Sequence, residues 1–146
     1  MSGFKYELEN ILNLREQEEN IKQKEYAEAL EKLKYEKQKK SKINKSLKTS
    51  RDKFKASISE NIEPNKIRLQ QNYQMYLEEE HKLATVKVEK AENKTEEQRK
   101  QLLDAMKNKK TLEVLREKKF EEFIEEEKKV EQQVIDEIVS FTFNQS

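Results

Sequence analysis

The stretch Ser57-Ile-Ser-Glu-Asn-Ile-Glu-Pro-Asn-Lys66 decides the fold of this chain. It gathers serines, asparagines and the only proline of 146 residues. A proline pushes the residue before it out of the helical region, and Ser and Asn favour turns. Either Asn65 is the N-cap of the next helix or Pro64 is its first residue. On both sides of this turn helix breakers are nearly absent, the one glycine being Gly3. Gly and Pro cost a helix interior roughly 1 and 3 kcal/mol relative to Ala. Their exclusion from two long stretches therefore predicts two long helices that double back on each other.

Composition limits what those helices can build. Only 33% of residues are hydrophobic and 42% are charged, with a mean hydropathy of −1.20. Such a chain cannot fill a layered core, but it can supply the single apolar stripe per helix that a coiled coil needs. Disorder is the competing reading of so many Lys, Glu and Gln residues. Against it stand the missing Gly and Pro and the helical spacing of the apolar residues. The predicted fold is all-α, an antiparallel coiled-coil hairpin in one domain, residues 1–146. Helix one covers about residues 4–55, the turn about 57–65 and helix two about 66–139.

In helix one, Tyr26, Leu33, Leu47 and Phe54 share one seven-residue frame, interrupted by Lys40. That frame reads as the seam of a left-handed supercoil. Lys37, Asn44 and Arg51 read as its companion positions, a polar choice that weakens the seam but can fix register. Ile58 and Ile62 are expected to fold over the seam's end. In helix two, Leu69, Tyr73, Tyr76, Leu83, Val88, Ala91, Leu102, Ala105, Leu112 and Leu115 recur at helical spacing. Ala84, Ala91 and Ala105 share a frame with Leu112, and small residues there let two backbones approach.

The two arms are unequal. With a reversal near Asn61, residues whose numbers add to about 122 face each other in an antiparallel pair. Phe4 then meets Lys118, and helix two projects beyond its partner for about 20 residues, roughly 30 Å. The projection contains Phe120, Phe123, Ile124, Val130, Val134, Ile135, Ile138 and Val139. A lone helix with that much apolar surface in water calls for a partner or for self-association.

Charge excludes some functions and hints at others. The net charge is +1, so no global field draws nucleic acid, and the Lys34–Lys55 stretch has few interleaved aromatics. Locally the balance is uneven: residues 1–31 hold 4 basic and 8 acidic side chains, residues 113–137 hold 5 and 10, and residues 34–55 hold 10 and 2. These are either solvated helix faces or two regions made for two partners. There is no cysteine, and His81 is the only histidine. A His-based triad, a multi-His or Cys metal site and a thiol nucleophile are thereby excluded, and one glycine permits no phosphate loop. Glu125, Glu126 and Glu127 are contiguous and fan over different helix faces, poor geometry for a metal cage. No catalytic residue, metal or cofactor is expected. The start of the chain is unlike a signal peptide and no apolar run approaches the length of a membrane span, so a cytoplasmic protein is expected.

The order of short motifs adds a resemblance. The opening Phe4-Lys-Tyr-Glu-Leu-Glu-Asn-Ile-Leu-Asn-Leu-Arg15 has an aromatic-x-Leu-x-x-x-Leu-x-Leu-Arg pattern. The stretch from Leu102 to Ile138 contains Lys110-Thr-Leu-Glu-Val-Leu-Arg-Glu-Lys118 and ends on Asp136-Glu137, and Asn72-Tyr73-Gln74 precedes Tyr76-Leu77. These features resemble the FliJ family of flagellar type III export proteins over nearly the whole chain. The resemblance implies a stalk, similar to the central stalk of rotary ATPases, inserted in the pore of the hexameric export ATPase FliI. The residues it implies at the ring are Phe4, Leu8, Ile11, Phe120, Phe123, Ile124, Val130 and Val134. It further implies contact with the export gate protein FlhA through Tyr76, Leu83 and Lys87, where Glu80 departs toward polarity, and the handling of export chaperones. The place implied is peripheral, at the inner face of the cell membrane. The alternatives are a structural adaptor or chaperone-like coil that binds a client along its seam, or the stalk of an injectisome or another rotary ATPase.

Overall fold

The computed structural model describes residues 3–61 and 63–145. Helix α1 spans Glu9–Ser59 and helix α2 spans Pro64–Gln145. They pack as an antiparallel coiled-coil hairpin in which α2 is longer and overhangs. At 1.5 Å per residue the helices are about 77 and 123 Å long.

The turn forms from its own residues. The Glu60 N–H donates to the Ala56 carbonyl (3.1 Å), and Asn61 then takes a φ of 54°. Asn enters this left-handed region more readily than most residues, so α1 stops here. The Glu63 carbonyl accepts the N–H groups of Lys66 (3.0 Å) and Ile67 (3.3 Å). Pro64 is the first helical residue, where a missing N–H does no harm. Asn65 is therefore not the N-cap. Ile58 is 54% exposed and does not close over the seam; Ile62 lies outside the described residues.

Both helices depart from the expected bounds at the ends remote from the turn. Gly3–Tyr6 is not helical, and α1 begins only after a turn in which the Glu9 N–H donates to the Tyr6 carbonyl (3.1 Å). From this non-helical segment both Phe4 and Tyr6 reach α2. At the other end α2 continues past Val139, since neither Gly nor Pro follows to stop it.

Contacts group the chain into two units. One joins Met1–Ile21 to Leu103–Ser146 and the other comprises Lys22–Leu102. In the Lys22–Leu102 unit the residues removed from solvent fall at steps of three and four, or at their sums of seven and eleven. On α1 they are Ala29, Glu36, Leu47, Ser50 and Ser57, and on α2 Leu77, Ala84, Val88, Ala91, Thr95 and Gln98. This is the knobs-into-holes spacing. The companion frame of helix one is thus Ala29, Glu36, Ile43 and Ser50, whereas Lys37, Asn44 and Arg51 are exposed. The frame falls one residue earlier than expected, with the small Ala29 and Ser50 and the carboxylate Glu36 removed from solvent. The Thr95 hydroxyl, 2.7 Å from its own Ala91 carbonyl, lies 3.2 Å from the Ala29 carbonyl of α1.

Some polar residues flanking the seam find partners across the interface, others on their own helix. Lys22 Nζ donates to Gln101 (2.9 Å) and to Glu25 (3.1 Å), and Arg51 pairs with Glu78 (3.8 Å). In the unit at the termini, Lys109 Nζ lies 3.1 Å from Glu19 and 3.8 Å from Glu113, and Arg116 pairs with Glu9 (3.3 Å). The hydrogen bond to Glu19 holds the Lys109 ammonium above its usual pKa. The stability linked to this raised pKa is therefore complete at neutral pH and is lost in alkali, as pH climbs through the raised pKa.

Candidate functional site

The unit at the termini has two parts. Its root is a cluster made by the non-helical arm. The Phe4 ring stands edge-on to Phe120 (centroids 5.2 Å apart) and tilted against Phe123 (5.6 Å), geometries that aromatic quadrupoles favour. Tyr6 is buried and its hydroxyl donates to the Leu112 carbonyl (3.1 Å), a second bond for an oxygen with two lone pairs. A groove of about 490 Å³ runs beside the arm, lined by Phe4, Leu8, Leu115 and Phe123 with Lys119 and Glu122 at its rim. Phe4 thus meets Phe120 and Phe123, not Lys118. The arm covers the first turns of what the helix lengths alone would leave bare.

Beyond the root, every described residue from 128 to 145 is exposed. Along this stretch Val130 (49%), Val134 (50%), Ile135, Ile138, Val139 and Phe141 all present apolar surface. Phe123 to Val130 and Val134 to Phe141 are steps of seven, with four between Val130 and Val134, so the stripe keeps the spacing of a coiled-coil seam. With Ile135 and Val139 beside it, the stripe is broader than a strict two-position seam. Glu121, Glu122, Glu125 and Glu126 lie together on another side, with Lys118 and Lys129.

Among the eight residues expected at the ring, Phe4, Phe120 and Phe123 therefore form one cluster and half-buried Leu8 lines the groove beside it. Val130 and Val134 belong to the bare stretch, while Ile11 (43%) and Ile124 (37%) are exposed along the helices. Phe141 escaped sequence reasoning because helix two was ended at Val139. The signal that could have found it is the lack of any breaker before Ser146.

A second surface lies in the Lys22–Leu102 unit. Leu69, Tyr73, Tyr76 and Leu83 are all more than half exposed, so these members of the expected apolar stripe are not in the seam. They share a helix face with Lys87 and Glu80, beside the buried line of Leu77, Ala84 and Val88. Tyr73 and Tyr76 stack, with centroids 6.5 Å apart and planes 27° apart. Tyr76, Leu83 and Lys87 are thus together on one accessible face. His81 is half-buried, and its carbonyl accepts the Thr85 hydroxyl (2.9 Å).

Among the described residues there is no cluster of His, Cys, Asp and Glu able to hold a metal ion. No described helix is long and apolar enough to cross a membrane. A protein-family model for "Flagellar FliJ protein" matches residues 4–146. No curated protein and no solved structure gives a significant match.

Proposed function

This chain belongs to the flagellar FliJ protein family, and from that premise we propose that it is the non-enzymatic coupling stalk of the export ATPase. Membership makes it a component of the flagellar export apparatus, associated with that machinery. In the finer reading, the end bearing both termini enters the pore of hexameric FliI. Phe4, Leu8, Ile11, Phe120, Phe123, Ile124, Val130 and Val134 face the ring there and promote its assembly and turnover. Tyr76, Leu83 and Lys87 meet FlhA, and emptied export chaperones are handled by the same protein on the cytoplasmic side of the membrane. The chain acts as one domain throughout and performs no chemistry of its own.

The observation that supports this reading best is the exposed apolar stretch, residues 128–145, on a helix that has outrun its partner. Exposed apolar surface of this extent marks an interaction site. Its seam-like spacing, widened by Ile135 and Val139, offers a ring more apolar surface than a two-position stripe would. A client-binding adaptor would instead use the seam.

Crosslinking separates the two, and the absence of native cysteine makes it simple. Single cysteines at Val134 and at Leu30, each carrying a photoreactive maleimide, are irradiated with FliI hexamers. The stalk reading expects adducts from Val134→Cys and none from Leu30→Cys. Adducts from Leu30→Cys alone would favour the adaptor.

A further inference from the structure

We propose that the groove toward the turn, whose walls adjoin but do not include the three residues assigned to the gate, is a docking site for an extended acidic peptide segment with an apolar anchor. Its walls are Lys45, Thr49 and Lys53 of α1 and Leu69, Gln70 and Tyr73 of α2, around a volume of about 510 Å³.

Three observations fix the chemistry of the occupant. The first is charge. Residues 34–55 hold 10 basic and 2 acidic side chains, and the α2 stretch beside them, residues 69–90, holds 4 acidic and 3 basic, too few acids to neutralise it. Arg51 pairs with Glu78, but among the described residues neither Lys45 nor Lys53 forms an ion pair. The excess positive potential favours an acidic ligand.

The second observation is an orphan acceptor. Gln70 Oε1 is shut off from solvent and has no hydrogen-bond partner, an expensive state for a polar atom. A side-chain rotation that turns this amide into the groove lets it accept from a donor on the occupant. A helix spends its backbone N–H groups internally, whereas an extended segment has them free. Lys45 to Lys53 rises about 12 Å along α1, the length of about four extended residues.

The third is the apolar side. Leu69 is 68% exposed and Tyr73 53%, and Tyr73 stacks on Tyr76, which holds its ring in place beside the lysines. One leucine and one tyrosine pair offer a seat for a single apolar or aromatic side chain. A nucleic acid would want aromatic rings repeated along the strand, and the groove has one.

The test is fluorescence anisotropy on the full chain. The probe is a labelled peptide in which Asp and Glu alternate with Phe and Leu, set against the same peptide with Asn and Gln for the acids, and against single-stranded oligothymidylate. The expected result is saturable binding of the acidic peptide, at least tenfold tighter than its neutral analogue and weakened by salt. Lys45→Glu with Lys53→Glu, both on exposed positions, should lower that affinity at least tenfold, and Tyr73→Ala should lower it with the charge intact. Circular dichroism verifies that each variant keeps its helicity. Equal binding of the acidic and neutral peptides, indifference to the charge reversal, or tighter binding of oligothymidylate through the same lysines would overturn the proposal. None of these arms involves FliI or FlhA, so their outcome is independent of the stalk reading.

Discussion

Glu36 is a carboxylate in the seam, 8% exposed, with Oε2 lacking any hydrogen-bond partner. An unsatisfied buried polar atom costs about 1–3 kcal/mol, and a well-packed apolar residue in its place removes that cost. Glu36→Leu should therefore raise the thermal midpoint of unfolding, with a gain of about 1–3 kcal/mol in urea titrations. An unchanged or lowered midpoint would mean that the carboxylate is satisfied in solution. Natural coiled coils retain such polar positions where register or partner choice depends on them. Reading the sequence by frames placed Lys37 in the seam and missed Glu36, since two polar residues side by side offer no hydrophobic contrast to set the phase. The same ambiguity set Asn44 against Ile43, where the structure buries more of the isoleucine. On α2 the phase was legible at Ala84, Ala91 and Ala105, whereas Leu69, Tyr73, Tyr76 and Leu83 formed a rival apolar frame that the structure leaves exposed.

At the scale of elements, the helices were legible because nothing in them breaks a helix, and the turn because its breakers are gathered in one place. What the sequence concealed was the conformation of the ends. Phe4 has helical spacing with Leu8 and Leu12, yet it and Tyr6 serve as a non-helical arm because their contacts on Phe120, Phe123 and the Leu112 carbonyl outweigh about one and a half further helical turns. Such tertiary competition cannot be read from local periodicity. The turn makes a quantitative claim of its own. Asn61, at φ 54°, occupies a backbone region that costs most L-residues roughly 1–2 kcal/mol. Asn61→Val should destabilise the hairpin by at least that amount, because β-branching adds to the strain, while Asn61→Gly should be neutral or better. Chemical denaturation of both variants checks this, and equal stabilities would show that the turn does not hold the left-handed conformation.

For the whole molecule, the position of the turn governs how far α2 outruns α1. A proline at residue 64 of 146 sets 51 helical residues against 82, and the surplus emerges as apolar helix. The overhang itself was legible in the sequence as soon as the turn was placed. Its starting point was not, because the arm extends cover to Phe123 and its end lies beyond Val139. The root cluster and the bare tip are thus separable parts of one surface. The tip can be removed without touching the contacts of Phe4, Tyr6 or the seam. That separation permits the most direct test of the central claim, that residues 128–145 are where the protein engages the export ATPase. The measurement is the rate of ATP hydrolysis by FliI hexamers titrated with the full chain or with a chain ending at residue 127. The prediction is that the shortened chain keeps its helical content per residue and its unfolding transition but loses stimulation of the ATPase. Full stimulation by the shortened chain would contradict the account.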